Sequence, residues 1–414
     1  MPDSHVDHLL IGGGVASAAC AKALRDGGAT GSIAILGREL DAPYHRPPAT
    51  KGYLRGHQSK DDALVHEPSW YDDNDVELRT RTGVRSIDPE AKTVKLQGGE
   101  EIGYGSALLA TGSLVNRLRI DGSDLDGLHY VRALGNSDGI REDAAGAEHV
   151  AIIGGSYIGC EVAASLTEMG KTCTIVMQED EPMQRGFGAP VGRWVRGLLE
   201  DHGVTIVAGE QVERFEGGDG EGARVQRVVT ASGTTLDADM VVLGTGVKPD
   251  VMLAKAAGLE LGDTGGVKCD SRLQTSAAGV YAAGDICEYH STVHGRPLRV
   301  EHEAVAEAQG QTVAAAMLGS TEDHTVVPYF WTDLADWASA EYVGPALTWD
   351  DEIVRGSFDS GKFSVLYLDG GALVACASVG RGDDLEAATQ VIAAGGTLAG
   401  DREALADPDR PLGK

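Results

Sequence analysis

Two glycine-rich turns in this sequence could bind the pyrophosphate of a dinucleotide. The first follows an apolar run at residues 6–11 and precedes an alanine-rich helical segment. In such a loop the first glycine permits a tight turn, the second lets the backbone approach the pyrophosphate, and the third position needs a small residue. Ser17 stands at that third position and is small enough to pack against a strand. The predicted contacts are Gly12, Gly14, Val15, Ala16 and Ser17.

A second copy of the turn lies at residues 149–170. Here Ser156 stands where the second glycine is expected, so its side chain either crowds the pyrophosphate or offers it a hydroxyl donor. The predicted contacts are Gly154, Ser156, Tyr157, Ile158 and Gly159. One such loop could be a purely structural turn, whereas two copies in register predict two nucleotide-binding units.

Three further apolar strands end in small residues, where a backbone can pass close to a bound dinucleotide. They are SALLATGS (106–113), DMVVLGTGVKPD (239–250) and GVYAAGDI (279–286). The third presents Asp285 at its carboxyl end, where a carboxylate can accept a ribityl hydroxyl or simply cap a turn. The other predicted contacts at these strand ends are Ala110, Thr111, Gly112 and Gly246.

Composition excludes several classes of function. Lys and Arg total 35 against 63 Asp and Glu, a net charge of −28 that repels nucleic acids and anionic lipid. No segment reaches the roughly 18 uninterrupted apolar residues that a membrane span needs, so we expect a cytoplasmic enzyme. The six cysteines form no Cys-x-x-Cys pair and no zinc spacing, which predicts buried free thiols and no metal site.

Several segments together resemble the ferredoxin reductases that serve bacterial oxygenases. Monodehydroascorbate reductase and apoptosis-inducing factor are similar proteins of the same fold. The resemblance covers nearly the whole chain in the expected order. The segments are PYHRPPATKGYL (43–54), LLATGS (108–113), the second glycine loop with Glu161, VYAAGD (280–285), RVEH (299–302) and PYFWTDLADW (328–337).

The resemblance implies an α/β protein with two Rossmann-like dinucleotide-binding domains, as in glutathione-reductase-like flavoproteins, plus a small C-terminal α+β domain. It divides the chain into an FAD domain at 1–113 and 240–325, an NAD(P)H domain at 114–239, and a C-terminal domain at 326–414. In that last domain, residues 363–379 read as two strands around a Gly-Gly turn, and a helix is expected from about 383. We expect residues 400–414 to form a frayed terminus.

Candidate contacts to the adenosine half of FAD follow the second strand. An acidic residue there commonly accepts ribose hydroxyls, which points to Glu39 beside Arg38, although an exposed loop carboxylate would look the same. Arg46 could present its guanidinium to the pyrophosphate or the adenine. The resemblance adds Val84, whose backbone would meet the adenine.

At the flavin, the resemblance places Lys51 beside the isoalloxazine and pairs it with Glu161. A buried cation there stabilises charge as hydride arrives, and its carboxylate partner offsets the cost of desolvation; the alternative is a surface lysine. Glu301 and His302 precede a helix near residue 302 and contact the flavin or merely cap that helix. Trp331 resembles the aromatic residue that covers the ring system, or it is a core aromatic.

The nicotinamide donor is predicted to be NADH rather than NADPH. Strand TCTIVM (172–177) ends in Met177 where an acid is usual, and the resemblance to monodehydroascorbate reductases shifts the ribose contact to Glu179. The cluster of Glu179, Asp180 and Glu181 repels a 2′-phosphate, with Arg185 the nearby cation. The same cluster could also be a solvated acidic loop.

The leading hypothesis is hydride transfer from NADH to FAD, followed by single-electron transfer to a small two-iron, two-sulfur ferredoxin. Because no cysteine pair is available as a redox relay, electrons must leave the flavin directly. A quinone or a monodehydroascorbate-like radical as acceptor, or a redox-sensing interaction protein similar to apoptosis-inducing factor, are the alternatives. A homodimer is compatible with the sequence.

Overall fold

The structure is a computed structural model that describes residues 2–218, 220, 222–346 and 348–412. The first part of the chain alternates strands with helices and short 3-10 turns. Its elements are β1 (Ser4–Ile11), α1 (Val15–Asp26), β2 (Ile33–Leu36), α2 (Pro68–Asp73), β3 (Val76–Arg79), β4 (Val84–Asp88), β5 (Thr93–Leu96), β6 (Glu101–Leu109) and β7 (Ser113–Val115).

The middle of the chain repeats this alternation. Its elements are β8 (Leu128–Tyr130), α3 (Leu134–Ala144), β9 (His149–Ile153), α4 (Tyr157–Glu168), β10 (Thr172–Val176), α5 (Gln184–Asp201), β11 (Thr205–Val207), β12 (Val212–Gly217), β13 (Val225–Thr230), β14 (Thr235–Asp237), β15 (Met240–Leu243) and β16 (Val247–Pro249).

The remaining elements include the long helix that covers the first sheet and an antiparallel sheet near the C-terminus. They are α6 (Met252–Ala256), β17 (Val267–Cys269), β18 (Val280–Ala282), β19 (Cys287–Ser291), β20 (Arg296–Arg299), α7 (Glu303–Met317), β21 (Tyr329–Leu334), β22 (Ala338–Val343), β23 (Asp351–Ser357), β24 (Lys362–Asp369), β25 (Ala372–Val379), α8 (Gly382–Ala393) and α9 (Arg402–Ala406).

The first sheet has the strand order β3-β2-β1-β6-β5-β4, and β18 also pairs with β6. Strands β1, β2, β3, β6 and β18 pair in parallel. Leu9, Leu10 and Ile11 are buried in succession, as expected for a strand covered on both faces. Helices α1 and α7 pack together so closely that a Cβ on Gly310 would lie 2.2 Å from the Ala16 carbonyl oxygen.

The second sheet is parallel, with the order β11-β10-β9-β15-β8. The chain therefore leaves the first sheet after β6, builds the second, and returns to the first with β18. A two-stranded antiparallel ribbon of β7 and β16 joins the two segments that cross between the sheets. Strand β15, at 240–243, lies in the second sheet although residue 240 was expected to begin the return to the first.

The third large sheet is antiparallel, with the order β21-β22-β25-β24-β23 and helix α8 packed against it. The predicted hairpin at 363–379 is present as β24 and β25, and Gly370 and Gly371 in its turn both have positive φ. Two positive φ angles match the right-handed twist of the strands, and glycine adopts them without strain. The helix expected from about 383 begins at Gly382.

The expectation of a frayed C-terminus was wrong for the described residues. Arg355 on β23 is 1% exposed, and its guanidinium donates to the carbonyl oxygens of Leu405 and Arg410 as well as to Asp384. Arg381 donates to the Pro408 carbonyl oxygen at 2.7 Å. A buried guanidinium must have all its donors satisfied, so it holds the tail in place. Residues 413 and 414 lie outside the described part.

Candidate active site

The first glycine turn forms an open cradle between β1 and α1. Gly12 has φ +132°, and a Cβ there would lie 2.0 Å from the Ala110 carbonyl oxygen, so the turn excludes any other residue. Gly14 is the N-cap of α1, and no atom lies within 4 Å of the position of its missing Cβ. Val15, Ala16 and Ser17 are buried beneath it. This arrangement leaves a free helix N-terminus for a pyrophosphate.

Two arginines come together beside this cradle. The Arg46 guanidinium donates to the Arg132 carbonyl oxygen at 2.8 Å and also contacts Glu39 and the Tyr44 hydroxyl. Burial and the charge of Arg46 hold the pKa of Arg132 below its usual range. Burial opposes ionisation of Glu39, but the charge and hydrogen bonds of Arg46 and Tyr44 lower its pKa. The two cations therefore favour an added anion such as a pyrophosphate.

The other strand-end residues predicted to contact FAD lie around the same cradle. Arg38 pairs with Asp250 at 2.7 Å, and the Thr111 hydroxyl donates to the Asp250 carbonyl oxygen at 2.7 Å. Gly112 has φ +68°, and a Cβ there would lie 2.7 Å from the Arg132 guanidinium. These contacts tie the end of β6 to the end of β2.

Asp285 and Val84 lie on two further sides of the cradle at the first glycine turn. Asp285 lies in a 3-10 turn after β18, where it accepts a hydrogen bond from the Ser113 hydroxyl at 2.7 Å. Val84 begins β4, and the preceding Thr82 N–H donates to the Gly37 carbonyl oxygen at 2.7 Å. This segment is thereby brought beside the end of β2, near Glu39.

Lys51 and Glu161 meet as the resemblance implied. Their Nζ and Oε1 atoms are 3.2 Å apart, and the residues are 9% and 5% exposed. Glu161 also accepts hydrogen bonds from the hydroxyls of Thr50 at 2.5 Å and Thr332 at 2.7 Å. Lys51 has a second carboxylate partner, Asp333, at 3.2 Å. A buried ion pair is favourable only where further hydrogen bonds offset its desolvation, and here the two hydroxyls and Asp333 provide additional partners.

Lys51 and Asp333 line a cavity of about 560 Å³, and Glu161 lies behind Lys51. The Lys51 ammonium lies 5.5 Å from the centroid of the Trp331 ring, which contributes to the same cavity. Trp331 and Asp333 are two residues apart on β21 and so face the same side of the strand. The other lining residues that matter here are Pro47, Pro48, Glu303 and Ala304.

Helix α7 begins at this cavity. His302 is its N-cap residue, without a side-chain capping bond, and burial lowers the pKa of His302 to about 4. Glu301 is exposed and accepts a hydrogen bond from Arg299 at 2.5 Å. Neither side chain caps the helix. Glu303 in the first turn accepts hydrogen bonds from the His45 ring at 2.8 Å and from the Arg46 N–H at 2.7 Å.

The second glycine turn is more exposed than the first. Gly154 has φ +108°, and a Cβ on Gly159 would lie 2.0 Å from its carbonyl oxygen. Ser156 is the exposed N-cap of α4, and its hydroxyl donates to the Gly244 carbonyl oxygen at 3.3 Å. Ile158 is 40% exposed, and the Tyr157 ring packs 4.9 Å from that of Phe330. Helix α4 thus presents its N-terminus towards solvent.

Beside this turn, carboxylates of the acidic cluster at 179–181 pair with arginines of α5. Glu179 pairs with the exposed Arg185 at 2.5 Å, and Glu181 pairs with Arg196 at 2.6 Å. A second cavity of about 590 Å³ lies here. Gly246, with φ +77°, accepts a hydrogen bond from the Asn116 N–H at 3.0 Å at the crossing between the sheets.

All six cysteines are buried and free, so none is placed as a redox relay. Burial raises the pKa of Cys160, the cysteine adjacent to Glu161 in the sequence. A buried thiol with a raised pKa is not an accessible nucleophile. Within the described residues, no cluster of three or more metal-ligating side chains occurs, and no helix is long and apolar enough to cross a membrane.

Sequence reasoning missed several residues of the site. Arg132 lies in a loop with no motif; Thr50 directly precedes Lys51, and Thr332 and Asp333 reach the Lys51 pair together from β21. Glu303 lies one position beyond the segment that carried the resemblance. Only the position of Thr332 and Asp333 beside Trp331 could have suggested them.

Comparison with known proteins gives the class of this one. Residues 6–311 match the family model described as pyridine nucleotide-disulphide oxidoreductase, and residues 329–414 match the model described as reductase C-terminal. The open cradle at Gly14 and the arginines beside it fit the FAD of that class. The molecule is a pyridine nucleotide oxidoreductase of a family that binds FAD.

Similar proteins narrow the class. The ferredoxin-NAD(+) reductase component of the anthranilate 1,2-dioxygenase system of Burkholderia cepacia is 33% identical over 404 residues, 97% of each chain. A ferredoxin reductase structure from Rhodopseudomonas palustris matches with a TM-score of 0.91, 30% identity and 97% coverage of both chains. The covalent putidaredoxin reductase-putidaredoxin complex matches with a TM-score of 0.92 at 30% identity, covering 98% of this chain and 96% of that one. The chain belongs to the ferredoxin reductases of the pyridine nucleotide-disulphide oxidoreductase family.

Proposed function

We propose that this protein carries electrons from NADH through FAD to a small two-iron, two-sulfur ferredoxin that serves an oxygenase. The observation that carries the proposal is the Lys51–Glu161 pair, because it joins the two nucleotide-binding units and its lysine lies in the wall of one cavity. Relatives named as ferredoxin reductases of oxygenase systems support the choice of acceptor.

In this proposal, the first sheet belongs to the domain that binds one nucleotide and the second sheet to the domain that binds the other. The sheet of β1 and β18 forms the FAD domain, and the sheet of β9 and β15 forms the NADH domain. Because β15 lies in the second sheet, we set the return to the FAD domain after residue 243. The sheet that begins with β21 forms the C-terminal domain, which supplies Trp331 to the flavin cavity.

Bound FAD would supply the conversion of a two-electron hydride into single electrons. We assign Gly12, Gly14 and the start of α1 to its pyrophosphate, with Arg46 and Arg132 as the neighbouring cations. Glu39 and Asp285 are assigned to ribose and ribityl hydroxyls, respectively. The backbone at Val84 and at Ala110, Thr111 and Gly112 closes around the cofactor.

Lys51 stabilises the negative charge that develops on the ring system, and Glu161 holds the ammonium in place. Thr50 and Thr332 fix the Glu161 carboxylate in turn. The positive end of α7 at His302 acts in the same sense as Lys51, because helix N-termini favour anions. We assign Trp331, which lines the same cavity, to cover the ring system.

NADH is placed along the second glycine turn, with its pyrophosphate at Gly154 and the start of α4. Glu179 accepts the ribose hydroxyls of its adenosine half. Glu161, one turn along α4 from Tyr157, brings the nicotinamide end to the Lys51 cavity. The acidic cluster at 179–181 disfavours the extra phosphate of NADPH.

An anaerobic titration followed by visible absorption tests the donor. Near-stoichiometric NADH should bleach the bound flavin, and NADPH should do so much less well. Failure of the protein to bind flavin after reconstitution would contradict the proposed function as a whole. Bound flavin that NADH cannot bleach would instead favour a sensing role.

Cytochrome reduction with a panel of ferredoxins tests the acceptor. Reduction that depends on added two-iron, two-sulfur ferredoxin is expected. Rapid turnover with a quinone and no response to any ferredoxin would replace the protein acceptor by a small molecule. Light scattering of the same preparation checks whether the chain forms a homodimer.

A further inference from the structure

The cavity beside the second glycine turn is built from two distant parts of the chain. Five of its lining residues come from the segment between β10 and the first turn of α5, and one comes from the loop before β23. The aromatic side chain in this lining is Trp349 from that loop. The lining residues are Gln178, Glu179, Asp180, Gln184, Arg185 and Trp349.

This cavity directly adjoins the nucleotide turn. The Met183 N–H donates to the Gly155 carbonyl oxygen at 2.7 Å, and a Cβ on Gly155 would lie 2.3 Å from the Met177 sulfur. A dinucleotide with its pyrophosphate at this turn must place its adenosine half near the end of β10, because that edge of the sheet carries the ribose-binding acid. The volume of about 590 Å³ is in the range of small-ligand sites.

The orientation of Trp349 is fixed by its neighbours. Its indole N–H donates to Glu352 at 2.7 Å, and its ring lies 4.4 Å from that of Tyr367. Helix α5 is interrupted at Gly188, where φ is +78° and a Cβ would lie 3.0 Å from the Trp349 ring and 2.6 Å from Glu352. The kink at Gly188 therefore leaves room for the Trp349 ring at the edge of the cavity.

The C-terminal tail holds the start of β23, directly after this loop. Arg402 at the start of α9 donates to the Glu352 carbonyl oxygen at 2.7 Å and pairs with Asp351. An aromatic ring held in this way loses little freedom when a ligand stacks on it, so the full stacking energy is available for binding.

We propose that Trp349 is the aromatic wall of the adenosine subsite, so that the C-terminal domain completes the binding site for the electron donor. This inference rests on the proposed placement of NADH along the second glycine turn. The indole presents its face or edge to the adenine, while Glu179 across the cavity holds the ribose. Donor affinity then depends on a residue of a domain that contains neither glycine turn.

The test compares Trp349→Leu with Trp337→Leu in the full-length, FAD-loaded protein. Trp337 is a matched control because it lies in the turn between β21 and β22 of the C-terminal domain and packs at the opposite end of α5, with its ring 3.9 Å from that of His202. We expect Trp349→Leu to raise the KM for NADH and the inhibition constant of ADP-ribose about 3- to 10-fold. The kcat and the rate with reduced nicotinamide mononucleotide, which lacks the adenylate half, should not change.

Trp349→Phe gives a second readout that does not need a large loss of affinity. ADP-ribose should quench tryptophan fluorescence in the wild-type protein and in Trp337→Phe, but not in Trp349→Phe. Quenching that persists in Trp349→Phe would overturn the proposal, as would an unchanged KM in a flavin-loaded Trp349→Leu protein. An equal loss with reduced nicotinamide mononucleotide would also overturn it, because that donor cannot contact an adenosine subsite.

The same experiment separates this inference from the function on which it rests. If the wild-type protein is not reduced by NADH and does not bind ADP-ribose, the proposed function fails. If the wild-type protein responds to both and the Trp349 variants behave like it, only the role of Trp349 fails.

Discussion

The two glycine turns have similar local geometry but very different surroundings. At the first, Val15, Ala16 and Ser17 are all buried, and α7 covers α1 through the close approach at Gly310. At the second, Ser156 is exposed and Ile158 is 40% exposed. The first turn suits a cofactor that stays bound, and the second suits a nucleotide that enters and leaves. What packs on the turn, rather than the turn itself, sets this difference.

The balance of positive and negative side chains also differs between the two turns. Arg46 and Arg132 lie beside the first, with Glu39 and Asp285 as their carboxylate neighbours, and we assign them to the pyrophosphate of FAD. Beside the second, Arg185 and Arg196 are paired with Glu179 and Glu181, and Asp180 adds a third carboxylate. Tight electrostatic binding would slow release of a nucleotide that must turn over, so the weaker positive charge at the second turn fits its role.

Altering each glycine turn separately should give the largest effects. Gly12→Ala should abolish FAD binding, because the added Cβ overlaps the Ala110 carbonyl oxygen at a φ that alanine does not adopt. Gly154→Ala, with its Cβ 2.5 Å from the Gly244 carbonyl oxygen, should keep FAD but lose reduction by NADH. Flavin absorbance and an anaerobic titration measure the two effects.

Gly197→Ala is the control for both glycine variants. Gly197 lies inside α5 with no atom near its missing Cβ and should tolerate alanine, with a gain of about 0.5–1 kcal/mol in stability. If Gly12→Ala kept its flavin while Gly154→Ala lost it, the assignment of the two turns would be reversed.

Substitutions of the Lys51–Glu161 pair, which connects the two nucleotide-binding units, should have the next largest effect. Lys51→Met should slow flavin bleaching by NADH about 10- to 100-fold, because it removes a cation from the reacting charge. Combined with Glu161→Gln, the loss should be smaller than the sum of the single effects, since the residues are in contact. Stopped-flow absorption measures the rates.

Lys60→Met serves as the control for Lys51. Lys60 pairs with Asp41 at 3.1 Å and is 39% exposed, so its loss should leave the bleaching rate unchanged. Strictly additive losses for Lys51→Met and Glu161→Gln would show that the two residues do not act as a unit.

A smaller effect is expected at the ribose end of the second site. Glu179→Ala removes a carboxylate and frees Arg185 to meet a 2′-phosphate. We expect the ratio of kcat/KM for NADPH over NADH to rise about 10-fold. Steady-state rates with both donors measure the ratio, and Glu213→Ala, at an exposed pair remote from the site, is the control. A ratio that stays constant would exclude Glu179 from the ribose contact.

The smallest effect is expected on stability, from the ion pair between His45 and Glu303 of α7. The hydrogen bond to Glu303 raises the pKa of His45 above 6.5, against the opposing effect of burial. The protonated pair therefore stabilises the fold fully below the unfolded pKa of about 6.5, and this contribution is lost as the pH rises through the raised pKa. With His45 40% exposed, it is worth at most about 1 kcal/mol.

His45→Gln should therefore lower Tm more at pH 6 than at pH 9. Thermal melts of the two proteins across that range measure the difference. A difference in Tm that grows with pH would contradict the assigned direction of the pKa shift.

Much of the local structure could be predicted from the sequence. Both strand-turn-helix units, the Gly370–Gly371 hairpin and the start of α7 near residue 302 lie where the patterns indicated them. Each depends on backbone preferences within a few residues, such as a positive φ that only glycine adopts freely. The Lys51–Glu161 contact was implied by resemblance alone.

Only the tertiary structure decided the contacts between segments that are far apart in the chain. Arg132 joins Arg46 across 86 residues, and Thr332 reaches Glu161 across 171. The tail that looked frayed is held by Arg355, and Trp349 reaches a cavity of the second sheet. Short-range patterns carry no information on such pairs, because they form only when the whole chain has closed its loops and buried its charges. The amino-acid sequence by itself determined the two turns, and the packing of the three sheets determined what each turn can hold.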